Sequence, residues 1–211
     1  MKREKDLARA LIDYISTLDD FRFLDPELPY HHMCATLTDA ILQAGLRYDS
    51  VVLPRVNHVG KIKRARTTTG FLSVLEERGT ATILSWKHPE KPDRLVSLAR
   101  YLAAHGIETE EDLRAWLQDR RNIEELRKLR GMGPKTVDYL RMLSGIADSA
   151  VDRQLRRFVQ LSGLDVDSMN NDEVKAVLAT AARRLGQPVS VLDYSIWSYM
   201  TRAGRGAAEA M

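Results

Sequence analysis

Apolar residues recur at helical spacing along almost the whole chain. Leu7, Leu11, Ile15 and Leu18 share one face, and Met33, Leu37, Ala40, Ile41 and Ala44 share another. A third helix is expected to open at Ser50, with Pro54 near its first turn and Val52, Val56 and Val59 on its apolar side. Phe71, Val74 and Leu75 mark a fourth, and residues 80–86 a short fifth. Pro92 stands where a first helical position belongs and Gly106 where a C-cap belongs. Between them Leu95, Leu98, Ala99 and Leu102 keep the i, i+3, i+4, i+7 pattern.

Thr109 and Asp112 have capping-box spacing ahead of Leu113, Trp116 and Leu117. Ile123, Leu126 and Leu129 predict a short helix that stops at Gly131. Further helices are expected over 134–144, 149–162, 171–185 and 189–201, the third bounded by Asn170 and Glu173 at its start and by Gly186 and Pro188 at its end. The tail 204–211 is small and polar and reads as frayed. No strand alternation and no long internal repeat emerges. The pattern predicts an all-α protein.

Composition narrows the class. With 211 residues, 44% hydrophobic and 29% charged, the chain has ample material for a core and reads as soluble. Mean hydropathy is −0.32, and no apolar run approaches the ~20 residues of a membrane span. The start of the chain shows no apolar stretch of signal length, so a cytoplasmic location is expected. The single cysteine, Cys34, excludes an intrachain disulfide and any all-cysteine metal or iron–sulfur site. His31 and His32 lie close to it, but adjacent histidines point to different helix faces and no carboxylate pair joins them. No metal site is expected.

Net charge is only +3, yet the basic residues are clustered. Residues 55–66 include Arg55, His58, Lys61, Lys63, Arg64 and Arg66 with no acid among them. Arg127, Lys128, Arg130 and Lys135 form a second group, and Arg153, Arg156 and Arg157 a third. One such cluster is a solvated face. Three, two of them beside a glycine turn, point to a polyanion.

That turn is Leu129-Arg130-Gly131-Met132-Gly133-Pro134-Lys135-Thr136. Gly131 is suited to a left-handed C-cap, and Gly133 to a tight turn with no Cβ in the way. Pro134 presets the first position of the next helix. Amides at that helix start face outward, beside Arg130, where a phosphate is favoured by the dipole. Taken alone, the turn fits an ordinary helix–helix connection equally well. Lys135 alters this, because a cation at the second helical position opposes the dipole. The same field favours the neutral amine that nucleophilic attack needs. Further on, Ala150-Val151-Asp152-Arg153 opens another helix. Asp152 reads either as the third residue of a capping box begun at Ser149 or as a carboxylate oriented to stabilise positive charge on a sugar.

The run Leu-x-Gly-x-Gly-x-Lys-Thr, then an apolar helix, then Val-Asp, resembles the helix-hairpin-helix-Gly/Pro-Asp superfamily of DNA glycosylases, which includes endonuclease III and the 8-oxoguanine DNA glycosylases. The resemblance spans about 92–161, and more weakly the helices before it. It implies that Lys135 is a Schiff-base nucleophile and Asp152 a catalytic aspartate. It implies that Gly131, Met132 and Gly133 grip the DNA backbone, with Arg130, Thr136 and Arg153 beside them. Some members also bind a monovalent cation through the hairpin carbonyls, and no other cofactor is implied. Gln43 resembles the glutamine that relatives place near a flipped base, although Gly45-Leu46-Arg47-Tyr48 breaks the usual pattern, and a buried or capping role is the competing reading. The chain departs from endonuclease III in having no four-cysteine loop, and Arg153-Gln154 replaces the usual histidine after the aspartate. The interval from lysine to aspartate is also a residue shorter than usual. The cluster-free 8-oxoguanine glycosylases are the better comparison.

The expected architecture is two closely packed helical lobes with the helix-hairpin-helix at their junction. Residues 30–133 would form a central bundle ending in the hairpin, and 1–29 with 134–211 a second lobe built from both termini. The expected activity is that of a bifunctional DNA glycosylase and AP lyase in base-excision repair. It would act as a monomer on double-stranded DNA carrying a damaged base or abasic site, in the nucleoid. A non-catalytic helix-hairpin-helix DNA-binding protein is the alternative. Asp193 and Trp197 share one face at i, i+4 and are candidates for the base pocket, against the plainer reading that their helix packs the core through Leu192, Ile196 and Tyr199.

Overall fold

The computed structural model describes residues 2–209, with side chains from 4 to 202. The protein is all-α: twelve α-helices and no strand among the described residues. It divides into two compact units, Glu27–Ile146 and Met1–Pro26 with Ala147–Met211.

The Glu27–Ile146 unit is built around α2 (Met33–Leu42), in which every residue is buried. A helix apolar on all sides belongs at the centre of a bundle. His32 caps it, its Nδ1 accepting the Ala35 amide at 3.3 Å while its Nε2 lies 3.1 Å from the Ile62 carbonyl. Those contacts fix the neutral tautomer with hydrogen on Nε2. Desolvation holds the ring below the usual histidine range, chiefly against the opposing pull of the Ile62 carbonyl.

A π-turn, Tyr48–Val52, leads into α3 (Leu53–Val59). There follow α4 (Thr68–Arg78), α5 (Thr80–Leu84), α6 (Glu90–Ala104), α7 (Glu110–Trp116), α8 (Arg120–Leu126) and α9 (Pro134–Leu143). Helices α3, α4, α6 and α9 pack on α2, enclosing Leu37, Leu42, Phe71, Leu98 and Leu140.

The expected helix from Ser50 therefore opens as a π-turn, and its α-helical part begins so that Pro54 falls in the first turn, where no N–H is needed. By the same logic α6 starts at Glu90 and leaves Pro92 within its first turn. The Thr109–Asp112 capping box is present. Helix α8 ends at Leu126, and residues 127–133 form an irregular connection rather than a continuation to Leu129.

The other unit comprises α1 (Lys2–Ser16), α10 (Arg153–Leu161), α11 (Asn171–Arg184) and α12 (Val189–Glu209). Helix α1 packs on α11 and α10 on α12. Phe158 sits amid Tyr14, Phe21 and Tyr199, with ring centroids 5.3, 5.8 and 5.9 Å away, mostly edge-on or tilted as aromatic quadrupoles prefer. Asn170 and Glu173 form the predicted capping box of α11. Helix α12 continues to Glu209 instead of stopping near 201; Ala210 and Met211, part of the tail expected to fray, lie outside the described residues.

The division of the chain differs from the expected one. Residues 134–146 belong with Glu27–Ile146, because Val137, Leu140 and Leu143 of α9 bury themselves in the core around α2. Both helices flanking the glycine turn thus share one unit. No helix among the described residues is long and apolar enough to cross a membrane.

Candidate active site

Gly131 is required where it stands. Its φ is +89°, in the region that favours glycine, and a Cβ there would lie 2.6 Å from Arg94 Cδ. Gly133 is different: its φ of −65° and ψ of 169° suit any residue, and a Cβ would meet nothing within 4 Å. The expected steric need for glycine at 133 is therefore absent. What the missing side chain leaves is an exposed stretch of bare backbone directly before α9. Pro134 occupies the first turn of α9 as predicted.

Met132 anchors the turn from inside. Its side chain is 1% exposed, and its amide donates to the Leu129 carbonyl at 3.0 Å. Neither faces outward as a DNA contact, which corrects the expectation for that residue. The Thr136 side chain is buried too, at 7% exposure. Arg130, by contrast, is open to solvent and lies 3.4 Å from Glu90, which also binds Arg94 at 2.6 Å.

Lys135 is half-buried at the second position of α9, and its Nζ donates to Gln43 Oε1 at 2.6 Å. The backbone N–H of Gln43 closes the end of α2 on Asp39, so this glutamine both caps its helix and holds the lysine. The sequence offered a place near a flipped base or a buried, capping role; the contact with Lys135 is a further feature that only the fold displays. Lys91 of α6 reaches the same helix end, donating to the Ile41 and Ala44 carbonyls at 2.8 and 2.7 Å. Burial, then the charge of Arg94, lowers its proton affinity, and Lys135 adds to that effect. Cations gathering at the negative end of α2 complement its dipole.

One group here escaped sequence reasoning. Asp39, fully buried on α2, accepts hydroxyls on Oδ2 from Tyr30 at 2.8 Å, Tyr48 at 3.1 Å and Tyr139 at 3.2 Å. Its other oxygen, Oδ1, is buried without a hydrogen-bond partner. Burial pushes the carboxyl up to about 6, against the tyrosine hydroxyls and the Lys135 charge, which pull it down. The three phenols are raised in turn, first by burial and then by the nearby carboxylate. The available signal was a lone acid inside an otherwise uncharged helix, Met33–Leu42.

The remaining candidates lie in the other unit. Asp152 is the N-cap of α10, its Oδ1 accepting the Gln154 and Leu155 amides at 2.8 and 3.0 Å. The helix therefore starts at Arg153 and not near Ser149, and the aspartate is the cap itself rather than the third residue of a box. Arg153 is exposed on the first turn. Asp193 is 7% exposed, and its Oδ2 accepts the buried amide of Ala150 at 2.9 Å. It ties down the segment that leads to Asp152. Trp197 is partly buried and stacks on Tyr194 with centroids 6.0 Å apart, one side of it against the core.

The basic clusters are also less available than their sequence suggests. Arg55 donates to the Val51, Leu84 and Ser85 carbonyls and lies over Trp86, while Arg64 pairs with Glu77 at 2.7 Å. Arg156 is bonded to Asn171 and to two carbonyls. Cys34 is buried beside Thr38 with its thiol pushed up to about 12 by desolvation. Among the described residues no three His, Cys, Asp or Glu side chains gather as a metal site would require.

No curated protein and no solved structure matches the chain. A family model does, over residues 84–201, which takes in α6 to α11, the glycine turn, Lys135 and Asp152. That span is more than half of the sequence. The chain belongs to the family described as a domain of unknown function, DUF8548.

Proposed function

We propose that this protein is a base-excision DNA glycosylase with AP-lyase activity, acting through a lysine Schiff base. The observation that carries the reading is Lys135: a half-buried amine one residue into α9, directly behind the Gly131–Gly133 turn and aimed by Gln43. A lysine there gains nothing from the helix dipole, and the amide oxygen that receives it accepts from an amine and from an ammonium alike.

In this reading α8, residues 127–133 and α9 form a helix-hairpin-helix that sits against duplex DNA. The bare backbone at Gly133 and the first-turn amides of α9 take a phosphate, with Arg130 supporting. A damaged nucleotide is extruded from the stack. The neutral Lys135 amine attacks C1′ of its sugar; the glycosidic bond breaks and the base leaves with its electron pair. The family resemblance assigns Asp152, the N-cap of α10, the role of stabilising the positive charge that develops on the sugar. Loss of a proton and ring opening give the imine. β-Elimination then breaks the C3′–O bond and cuts the strand. The protein would work as a monomer on nucleoid DNA in the cytoplasm.

The test is incubation with duplexes that contain an abasic site or one of a panel of base lesions, in the presence of borohydride. A reduced covalent adduct is expected with the native protein and not with Lys135→Ala. Salt-sensitive DNA binding with no adduct on any duplex would instead leave a non-catalytic helix-hairpin-helix module.

A further inference from the structure

Asp39 is the only acid on a helix buried along its entire length. Its three tyrosine partners arrive from the loop before α2, the π-turn after it, and α9, and all of them meet one oxygen. Anchoring hydroxyls requires an acceptor but not a charge. The second oxygen, buried and unpartnered, is costly to keep and takes no part in that anchoring. The surroundings supply a reason for the charge. Tyr139 and Lys135 lie one turn apart on α9, and Asp39 and Gln43 lie one turn apart on α2. The two helices therefore make side-by-side contacts, Tyr139 to Asp39 at 3.2 Å and Lys135 to Gln43 at 2.6 Å.

We propose that Asp39 is a built-in counter-charge of Lys135, and that its tyrosine-clamped carboxylate contributes to how readily that amine releases its proton. The proposal deepens the reading of Lys135 as a nucleophile and rests on it for its biological meaning. Ionised, Asp39 stabilises the ammonium through space. Neutral, it withdraws that support, and the amine deprotonates more easily. Gln43 keeps its hold in both states, since an amide oxygen accepts from an ammonium and from an amine alike. Charged groups nearby include Lys91 on α6, whose charge opposes the ammonium, the Arg94–Glu90 pair beside it, and Asp138 of α9, which lies 3.9 Å from Arg127. Asp39 is fully buried and touches no substrate; it is a positioning residue.

The experiment uses the free, full-length protein. Lys135 is labelled with trace acetic anhydride across a pH series and quantified by mass spectrometry, with exposed Lys61 as the internal control. In Asp39→Asn the labelling midpoint of Lys135 is expected to fall by about one pH unit, or about tenfold faster labelling at a fixed pH below the midpoint. Lys61 should not move. An unchanged Lys135 midpoint would overturn the proposal. A reciprocal measurement covers the case in which that variant fails to fold. In Lys135→Gln the Asp39 carboxyl, followed by its carbon-13 shift, should titrate about one unit higher, because the coupling is mutual. An Asp39 midpoint that stays put overturns the proposal equally. Neither readout involves DNA, so shifted midpoints without a borohydride adduct would sink the glycosylase reading and leave the coupling standing. An adduct with unshifted midpoints would do the reverse.

Discussion

The Gln43 side-chain oxygen lies 2.6 Å from Lys135 Nζ, and the buried nitrogen of the same amide has no hydrogen-bond partner. A neutral acceptor in this position orients the amine without demanding that it be charged. Replacing it by a carboxylate changes that. Gln43→Glu should hold Lys135 as an ammonium, and borohydride trapping at pH 7 should drop about tenfold or more while recovering at higher pH. Gln43→Ala removes the aim and leaves the charge alone, so it should lower trapping with little change in the pH profile. Identical profiles for the two variants would deny the amide its role.

The two glycines of the turn separate folding from binding. Gly131→Ala must force a positive φ and a clash with Arg94, and should cost about 1–3 kcal/mol in denaturant unfolding. Gly133→Ala meets nothing and suits its φ of −65°. It should leave stability unchanged or raise it by up to about 1 kcal/mol. If DNA approaches the bare backbone at 133, the same methyl should weaken binding several-fold. A Gly133→Ala protein that binds DNA as the native one does would move the phosphate contact elsewhere.

Asp193 holds the Ala150 amide inside the unit that carries Asp152. Asp193→Ala leaves that buried N–H without its acceptor and should destabilise by about 1–3 kcal/mol. Asp193→Asn, which keeps an oxygen in place, should lose less. A base-pocket role predicts the opposite order of effects: normal unfolding for Asp193→Ala with altered lesion preference. Urea midpoints and the lesion panel, measured on both variants, decide between them.

What the sequence displayed, and what it hid, follows from the range of the forces involved. Helix starts were legible because capping is local: Thr109 with Asp112 and Asn170 with Glu173 act across three residues. Pro134 and Gly131 announced the turn for the same reason. The start of α10 was misplaced because Ser149 and Asp152 are both plausible caps, and the long-range Asp193–Ala150 bond favours an extended path through 150–152. The division into units went astray at 134–146, since which core a helix joins depends on packing partners far along the chain. The Asp39 cluster was invisible for a plainer reason. Tyr30, Tyr48 and Tyr139 are scattered over more than a hundred positions, and only the fold brings their hydroxyls to one oxygen.

The buried carboxyl also leaves a mark on stability. Its proton affinity is raised from an ordinary 3.8 to about 6 by burial, so the folded state holds a proton that the unfolded chain has lost in the window between. The sign follows: stability from this group is fully present below pH 4 and declines as pH rises through about 6, after which it is level. Asp39→Asn removes the titration. Relative to the native protein, the variant should therefore gain on the order of 2–3 kcal/mol between pH 4 and pH 7. Other titrating groups are common to both proteins, so the comparison isolates this one. Unfolding by urea at several pH values checks it. A native-minus-variant difference that stays flat across that window would mean that Asp39 is not held as a buried, strained charge.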